Sequence, residues 1–145
     1  MGSIKEKYLQ EAILEYKKRI SKYTNLEIIE VKDEGLVEEK KALELEAVKI
    51  EKYLGDKDYI ITMEIAGEEY SSPEFAEKIR KILIENSNIT FIIGGSYGLA
   101  DNIKNKANLH LSFSKLTFPH QLFRVILLEQ IYRAYKINNN ESYHK

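Results

Sequence analysis

The sequence predicts an α/β fold: a mainly parallel sheet with helices on both faces. Three observations carry that expectation. Apolar runs of strand length recur at 26–31, 59–65, 89–93 and 109–113. Charged segments with apolar residues three and four apart lie around and between them, the period of a helix with one buried stripe. Strands separated by helices rather than by tight turns run parallel, because a crossover must carry the chain back to the same edge.

The elements follow in order. Residues 4–22 set Ile4, Tyr8, Ala12, Ile13, Tyr16 and Ile20 on one helical stripe, with lysines and glutamates opposite. "LEIIEV" (26–31) reads as a strand. Residues 36–54 form a second amphipathic helix, with Leu43, Ala47, Ile50 and Leu54 inward and Gly55 as its stop. "YIITMEI" (59–65) is a strand that ends in the loop "AGEEYSSPE", where Ser71 or Ser72 caps a helix opened by Pro73 and running to about Glu85. "ITFII" (89–93) is the next strand, followed by a glycine-rich loop and a short helix near 100–107. "LHLSF" (109–113) is the fourth strand, and Pro119 opens a long helix to about Ile137. No repeat or linker interrupts the pattern, so residues 1–145 are expected to form one domain.

Composition narrows the chemistry. The chain has no cysteine, which excludes disulfides, thiolate catalysis and cysteine zinc sites and fits a reducing compartment. His110, His120 and His144 lack the spacing of a local metal motif, so no metal is expected. No apolar run reaches membrane-spanning length. The net charge of −1 hides an asymmetry: residues 1–101 hold 15 Lys/Arg against 21 Asp/Glu, and residues 102–145 hold 7 against 2. A basic segment on an acidic protein is either an anion-facing surface, such as one for RNA, or an ordinary solvated face.

The loop "IGGSYGLA" raises the question of what its glycines let come close. The dinucleotide fingerprint G-x-G-x-x-G needs an acidic residue about twenty positions on; here the pattern is G-G-x-x-G, and no acid stands between Asp101 and Glu129. No phosphate-loop lysine follows either. A tight turn without a ligand remains open for the loop taken alone. Yet three loops meet at the carboxyl ends of the strands: "MEIAGEEYSS", "IGGSYGLA" and "SFSKLTFPHQ". The last joins small hydroxyl residues to Leu116, Phe118 and Pro119 without a carboxylate. Such a wall suits a neutral aromatic ring held by backbone hydrogen bonds and apolar contact.

"IGGSYGL", "LSFSKLTFPHQLFRVILLEQIYRAYKI" and the terminal "SYHK" together closely resemble the bacterial RlmH family of SPOUT-class methyltransferases, from Ile4 to Lys145. The resemblance implies an α/β knot with a threaded C-terminal segment, a homodimer, and S-adenosylmethionine as cofactor. It also implies a cytoplasmic enzyme that methylates N3 of a pseudouridine in 23S rRNA within the ribosome. Carried over by position, the cofactor pocket includes Met63, Gly94, Phe113, Ser114, Lys115, Leu116, Thr117 and Phe118. Met63 and Phe113 also read as ordinary core, and Lys115 as a solvated side chain whose backbone alone matters. Attack by N3 requires that its proton leave, and the tail residues Tyr143, His144 and Lys145 are the catalytic candidates, with His144 as base and Tyr143 orienting it. Arg124 and Arg133, on the long helix, suit an RNA phosphate or a dimer salt bridge with Glu129.

One departure stands out. Members of the family begin with a strand of about eight residues ahead of the segment that reads "GSIKEKY" here, and this chain opens in a helix instead. A sheet without that inner strand is expected to leave unpaired backbone and an apolar gap. Two other readings therefore stand beside the enzyme: a truncated, catalytically inactive knotted chain, and a non-catalytic RNA-binding module.

Overall fold

The computed structural model describes residues 5–145. Its elements are α1 (Lys7–Ile20), α2 (Glu39–Glu51), β1 (Tyr59–Glu69), α3 (Ser72–Glu85), β2 (Ile89–Ile92), α4 (Asp101–Lys104), β3 (Leu109–Ser112) and α5 (His120–Asn138). The strands form one parallel sheet in the order β2-β1-β3, as the alternation of strands and helices predicts. The predicted position of Ile4 lies outside the described residues. Among these residues no helix is long and apolar enough to cross a membrane.

Each face of the sheet carries its own core. Ile61, Leu109 and Leu111 pack under Phe75, Ile79 and Ile82 of α3 and Ala134 of α5. Ile20 joins that layer against Leu127, Leu128, Ile131 and Tyr132 of α5. On the opposite face Ile60 and Ile92 meet Ala47 and Ile50 of α2 and Ile103 of α4. The period of two along Ile60, Ile61 and Thr62 thus sends successive side chains to opposite layers. α3 starts where serine chemistry places it. The Ser71 hydroxyl accepts from Glu74 N–H at 3.2 Å, and the Glu74 carboxylate accepts from Ser71 N–H at 2.9 Å, a capping box that satisfies two otherwise orphaned donors.

The structure departs from the sequence reading in three places. Residues 26–31 are not a strand: no ladder or backbone hydrogen bond ties them to the sheet among the described residues. A strand exists only with a neighbour to pair, and among the described residues none lies beside this run. Second, β1 continues through Glu69, past the loop boundary expected at Ile65. Its register against β3 shifts between Met63 and Glu68, so that Leu111 pairs with both. Gly67 permits this: a β-carbon there would lie 2.8 Å from the backbone of His110 and Leu111. Third, Tyr8 is exposed and Leu9 is buried in its place, while Ile13, Tyr16 and Ile20 of the expected stripe pack on α5. Inside the chain Arg124 is buried, with an oxygen of Glu30 3.7 Å away, and Arg133 binds Glu129 on its own helix at 2.5 Å.

Candidate active site

The second half of β1 and the loops after β2 and β3 converge on a cavity of about 430 Å³, toward the carboxyl ends of parallel strands, where open α/β sheets bind ligands. Of the eight predicted cofactor residues, Met63, Gly94, Phe113, Ser114, Leu116, Thr117 and Phe118 line it. Lys115 does not; its side chain is exposed, which leaves only its backbone to matter, as the sequence allowed.

Each wall has a local cause. After β2 the chain reverses at Gly95–Gly98, where Gly98 N–H donates to Gly95 O at 3.0 Å and Gly98 takes φ +81°. A β-carbon on Gly94 would fall 2.5 Å from the Gly98 carbonyl carbon. The close approach that the glycines permit is therefore, first, the loop to itself. Only in that folded form does it present a flat backbone wall. After β3, Ser112 Oγ donates to Ser114 O at 3.1 Å and Leu116 N–H donates to Ser114 Oγ at 2.9 Å, a pair of local bonds that turns the segment back over the sheet. Phe113 then meets Phe75 edge-on at 6.0 Å and Phe123 at 5.5 Å, and Phe118 stacks on Phe123 at 6.1 Å. Met63 and Phe113 serve both readings at once, packing on the core and lining the cavity.

The sequence reading missed Glu64, Lys104 and His120, which also line the cavity. Glu64 was detectable as the one charged residue of the run "YIITMEI". Its carboxylate accepts from Thr62 Oγ1 at 2.6 Å, meets His110 Nδ1 closely, and lies 3.9 Å from Lys104 Nζ. Burial pushes its pKa up, but the hydrogen bonds from Thr62 and His110 outweigh burial and hold it below the usual carboxylate range. His120, in the first turn of α5, is pushed below the usual histidine value by burial.

The predicted catalytic tail lies elsewhere. Tyr143 packs edge-on against Tyr132 at 4.9 Å, under the Arg133 guanidinium, and its hydroxyl donates to Glu129 at 3.1 Å. Burial and the adjacent Glu129 charge push that hydroxyl up to about 12. His144 Nδ1 lies 3.1 Å from Arg133 Nη1, and Lys145 is exposed. None of the three lines the cavity in its own subunit. The arrangement offers a mid-sized, largely apolar pocket with one paired carboxylate, and a separate polar cluster around Glu129. Among the described residues no group of three His, Asp or Glu side chains is placed to hold a metal ion.

Comparison with known proteins agrees with this geometry. The pattern of a family described as predicted SPOUT methyltransferase matches residues 1–144. The chain is 53% identical to a putative ribosomal RNA large subunit methyltransferase H of Methanococcus vannielii and 55% identical to that of Methanococcus maripaludis, each match covering 100% of this chain and 96% of the relative. It is 49% identical to the ribosomal RNA large subunit methyltransferase H of Clostridium acetobutylicum, with the same coverage.

Proposed function

Because this chain belongs to the SPOUT methyltransferase family, we propose that it transfers a methyl group from S-adenosylmethionine to N3 of a pseudouridine in large-subunit ribosomal RNA. It does so as a homodimer acting on the ribosome in the cytoplasm. The observation that carries the reading is the cavity: seven of the eight residues expected at the cofactor line it. The names of the relatives support the RNA substrate.

The residues fit the cofactor. A cavity of about 430 Å³ falls within the roughly 300–1,000 Å³ of small-ligand sites. Phe113, Phe118 and Leu116 give apolar walls for an adenine ring, and Gly94, Gly95 and Gly98 give a backbone wall with Ser96 beside it. Glu64, held ionised, supplies negative charge at the rim for a cationic ligand. The cofactor, when bound, supplies a methyl group on a positively charged sulfur.

The remaining work is alignment and one proton. As the N–C bond forms, the N3 proton must pass to a base. Tyr143 is excluded from that role near neutrality, because its hydroxyl stays protonated and donates to Glu129; it positions the tail. With Arg133 donating to His144 Nδ1, the imidazole is held as the Nε2–H tautomer. His144 must leave Arg133 before it accepts a proton. Because the tail does not reach the cavity of its own subunit, the dimer is part of the proposal: a partner's tail completes the site.

The test is calorimetry with S-adenosylhomocysteine, followed by transfer of a labelled methyl group to ribosomes lacking the modification. Binding and transfer are expected. A cooperatively melting chain that binds no S-adenosylhomocysteine would overturn this reading in favour of the inactive one.

A further inference from the structure

On the helical period of α2, Glu46 shares the buried face with Ala42, Ala47 and Ile50. It is 3% exposed, and a carboxyl group in such a place is costly unless hydrogen bonds satisfy it. The segment ahead of α2 supplies them. Glu34 N–H donates to Glu46 Oε1 at 2.9 Å, and the Asp33 carboxyl lies in hydrogen-bonding contact with the Glu46 side chain. One turn further along α2, Lys49 pairs with the Glu34 carboxylate. The helix thus grips residues 33 and 34 by a backbone N–H and by both side chains.

Asp33 also reaches away from α2. Its Oδ1 accepts from Gly35 N–H at 2.9 Å, and its Oδ2 accepts from Ser96 Oγ at 3.2 Å. Ser96 lies within the loop after β2 and lines the cofactor cavity. That loop holds three glycines, Gly94, Gly95 and Gly98, and glycine loses more conformational freedom on ordering than any other residue. A loop of this kind needs an anchor from outside itself. The bond from Ser96 to Asp33 is one, and Glu46 is the group that stands behind it.

Two carboxyl groups in contact do not both ionise readily, and such a pair shares one proton. Asp33 accepts from two donors, which favours its charged form, whereas Glu46 sits in an apolar face, which favours its neutral form. Burial raises Glu46 above its ordinary value, the Glu34 N–H opposes that shift, and contact with Asp33 adds to it. The proton therefore belongs on Glu46, directed at Asp33. The charged groups around the pair are Lys32, Glu34 and Lys49 beside it, and His120 of α5, which feels the Asp33 charge together with that of Arg124.

We propose that Asp33 and Glu46 are positioning residues for the cavity: the pair shares one proton and, through Ser96, fixes the glycine loop in its ligand-binding form. The inference rests on the reading of this cavity as the methyl-donor site.

The experiment follows two quantities, S-adenosylhomocysteine affinity by calorimetry and amide exchange at Gly98 without ligand. Glu46→Gln keeps both an acceptor for Glu34 N–H and a donor to Asp33, and is expected to bind within about 2-fold of the unmodified chain. Glu46→Leu fills the same place with an apolar side chain. It is expected to melt cooperatively but to bind about 10-fold more weakly, with Gly98 exchanging about 10-fold faster. Ser96→Ala is expected to match it, and the double variant to lose no more than either single one, because both cut the same link. As pH rises and the shared proton leaves, affinity of the unmodified chain is expected to decline relative to Glu46→Gln, which cannot gain the second charge. Equal affinities of Glu46→Gln and Glu46→Leu, additive losses in the double variant, unchanged Gly98 exchange or a shared pH profile would each overturn the proposal. Gly98 exchange that follows Glu46 and Ser96 in a chain binding no S-adenosylhomocysteine would uphold the link and overturn the methyl-donor reading instead.

Discussion

β3 and residues 26–31 flank the same β1–β2 pair, and in sequence they look alike: "LHLS" and "LEIIEV" both alternate or run apolar. β3 lies in register on β1 from Ile61↔Leu109 to Met63↔Leu111, with Leu109 and Leu111 buried. Residues 26–31 place Leu26, Ile28 and Val31 on the right layers but make no ladder. Side-chain alternation is thus enough to sort residues between two apolar layers. Backbone pairing needs a neighbour one strand spacing away, about 4.8 Å. The difference matters for the site, since Asp33, just past the unpaired run, accepts from Ser96 of the glycine loop at 3.2 Å. The weaker flank holds one of the walls of the pocket.

The largest expected effect tests the well-formed side. Gly94→Val puts side-chain atoms where the Gly98 backbone already lies, so the loop must open. S-adenosylhomocysteine affinity is expected to fall by about 100-fold or more, near 2.8 kcal/mol, with the melt still cooperative. Unchanged affinity would remove the glycine loop from the pocket.

Next comes a direct comparison of the two flanks. Ile61 is fully buried between β2, β3 and α3, so Ile61→Ala is expected to cost about 2–5 kcal/mol. Ile28 is half-buried and borders a second cavity, beyond β2, so Ile28→Ala should cost less than about 1.5 kcal/mol, since fewer neighbours lose contact. Urea melts of both variants settle it. Equal costs would mean that the 26–31 run is as well packed as the sheet centre and that the comparison fails.

What was legible in the sequence follows the same division. Periodicity gave the parallel sheet, α3 with its Ser71 cap, the Pro119 boundary of α5 and the glycine loop, because each is decided within a few residues. It missed the extension of β1 to Glu69, where the β3 backbone, approached closely at Gly67, does the selecting. It overstated 26–31 because a strand's partner is not written in its own residues. In the site, the apolar and glycine positions were legible, while Glu64, Lys104 and His120 were not. Their place depends on β1, α4 and α5 meeting in space, which no local pattern records. The tail residues were read as part of one site, yet within the chain Tyr143 and His144 are held around Glu129 and Arg133, and it is the proposed dimer that would join them to the cavity.

The dimer gives the third test. Leu128 is buried inside its own subunit, so a charge there would damage the core and say nothing about association. Ile126 is only half-buried and is the better probe. Ile126→Asp is expected to give a folded monomer by light scattering, with S-adenosylhomocysteine binding retained better than transfer. A dimer of unchanged stability would move the interface off this face of α5.

The smallest effect concerns pH and separates two half-buried titratable groups of the pocket, His120 and Glu64. Burial lowers the pKa of His120, with the Asp33 charge opposing that shift and the Arg124 charge adding to it. The folded chain therefore holds the His120 proton less readily than the unfolded chain, whose histidine titrates near about 6.5. Between the lowered value and about 6.5 the unfolded state carries more protons, so stability rises with pH across that window and is lost as pH falls through it. Glu64, also lowered, acts in a different window: its contribution is present above the ordinary carboxylate value, near about 4.3, and is lost only below it. Tm of the unmodified chain is thus expected to fall from pH 7 to 5.5, and the slope to flatten in His120→Gln, while the steeper acid loss below pH 4.5 persists in that variant and diminishes in Glu64→Gln. Because His120 lines the cavity, a bound ligand that buries it further should steepen the upper slope. An identical slope between pH 7 and 5.5 in the unmodified chain and His120→Gln would show that protonation of this histidine is not resisted by the fold, and that the first turn of α5 is more open to water than its packing implies.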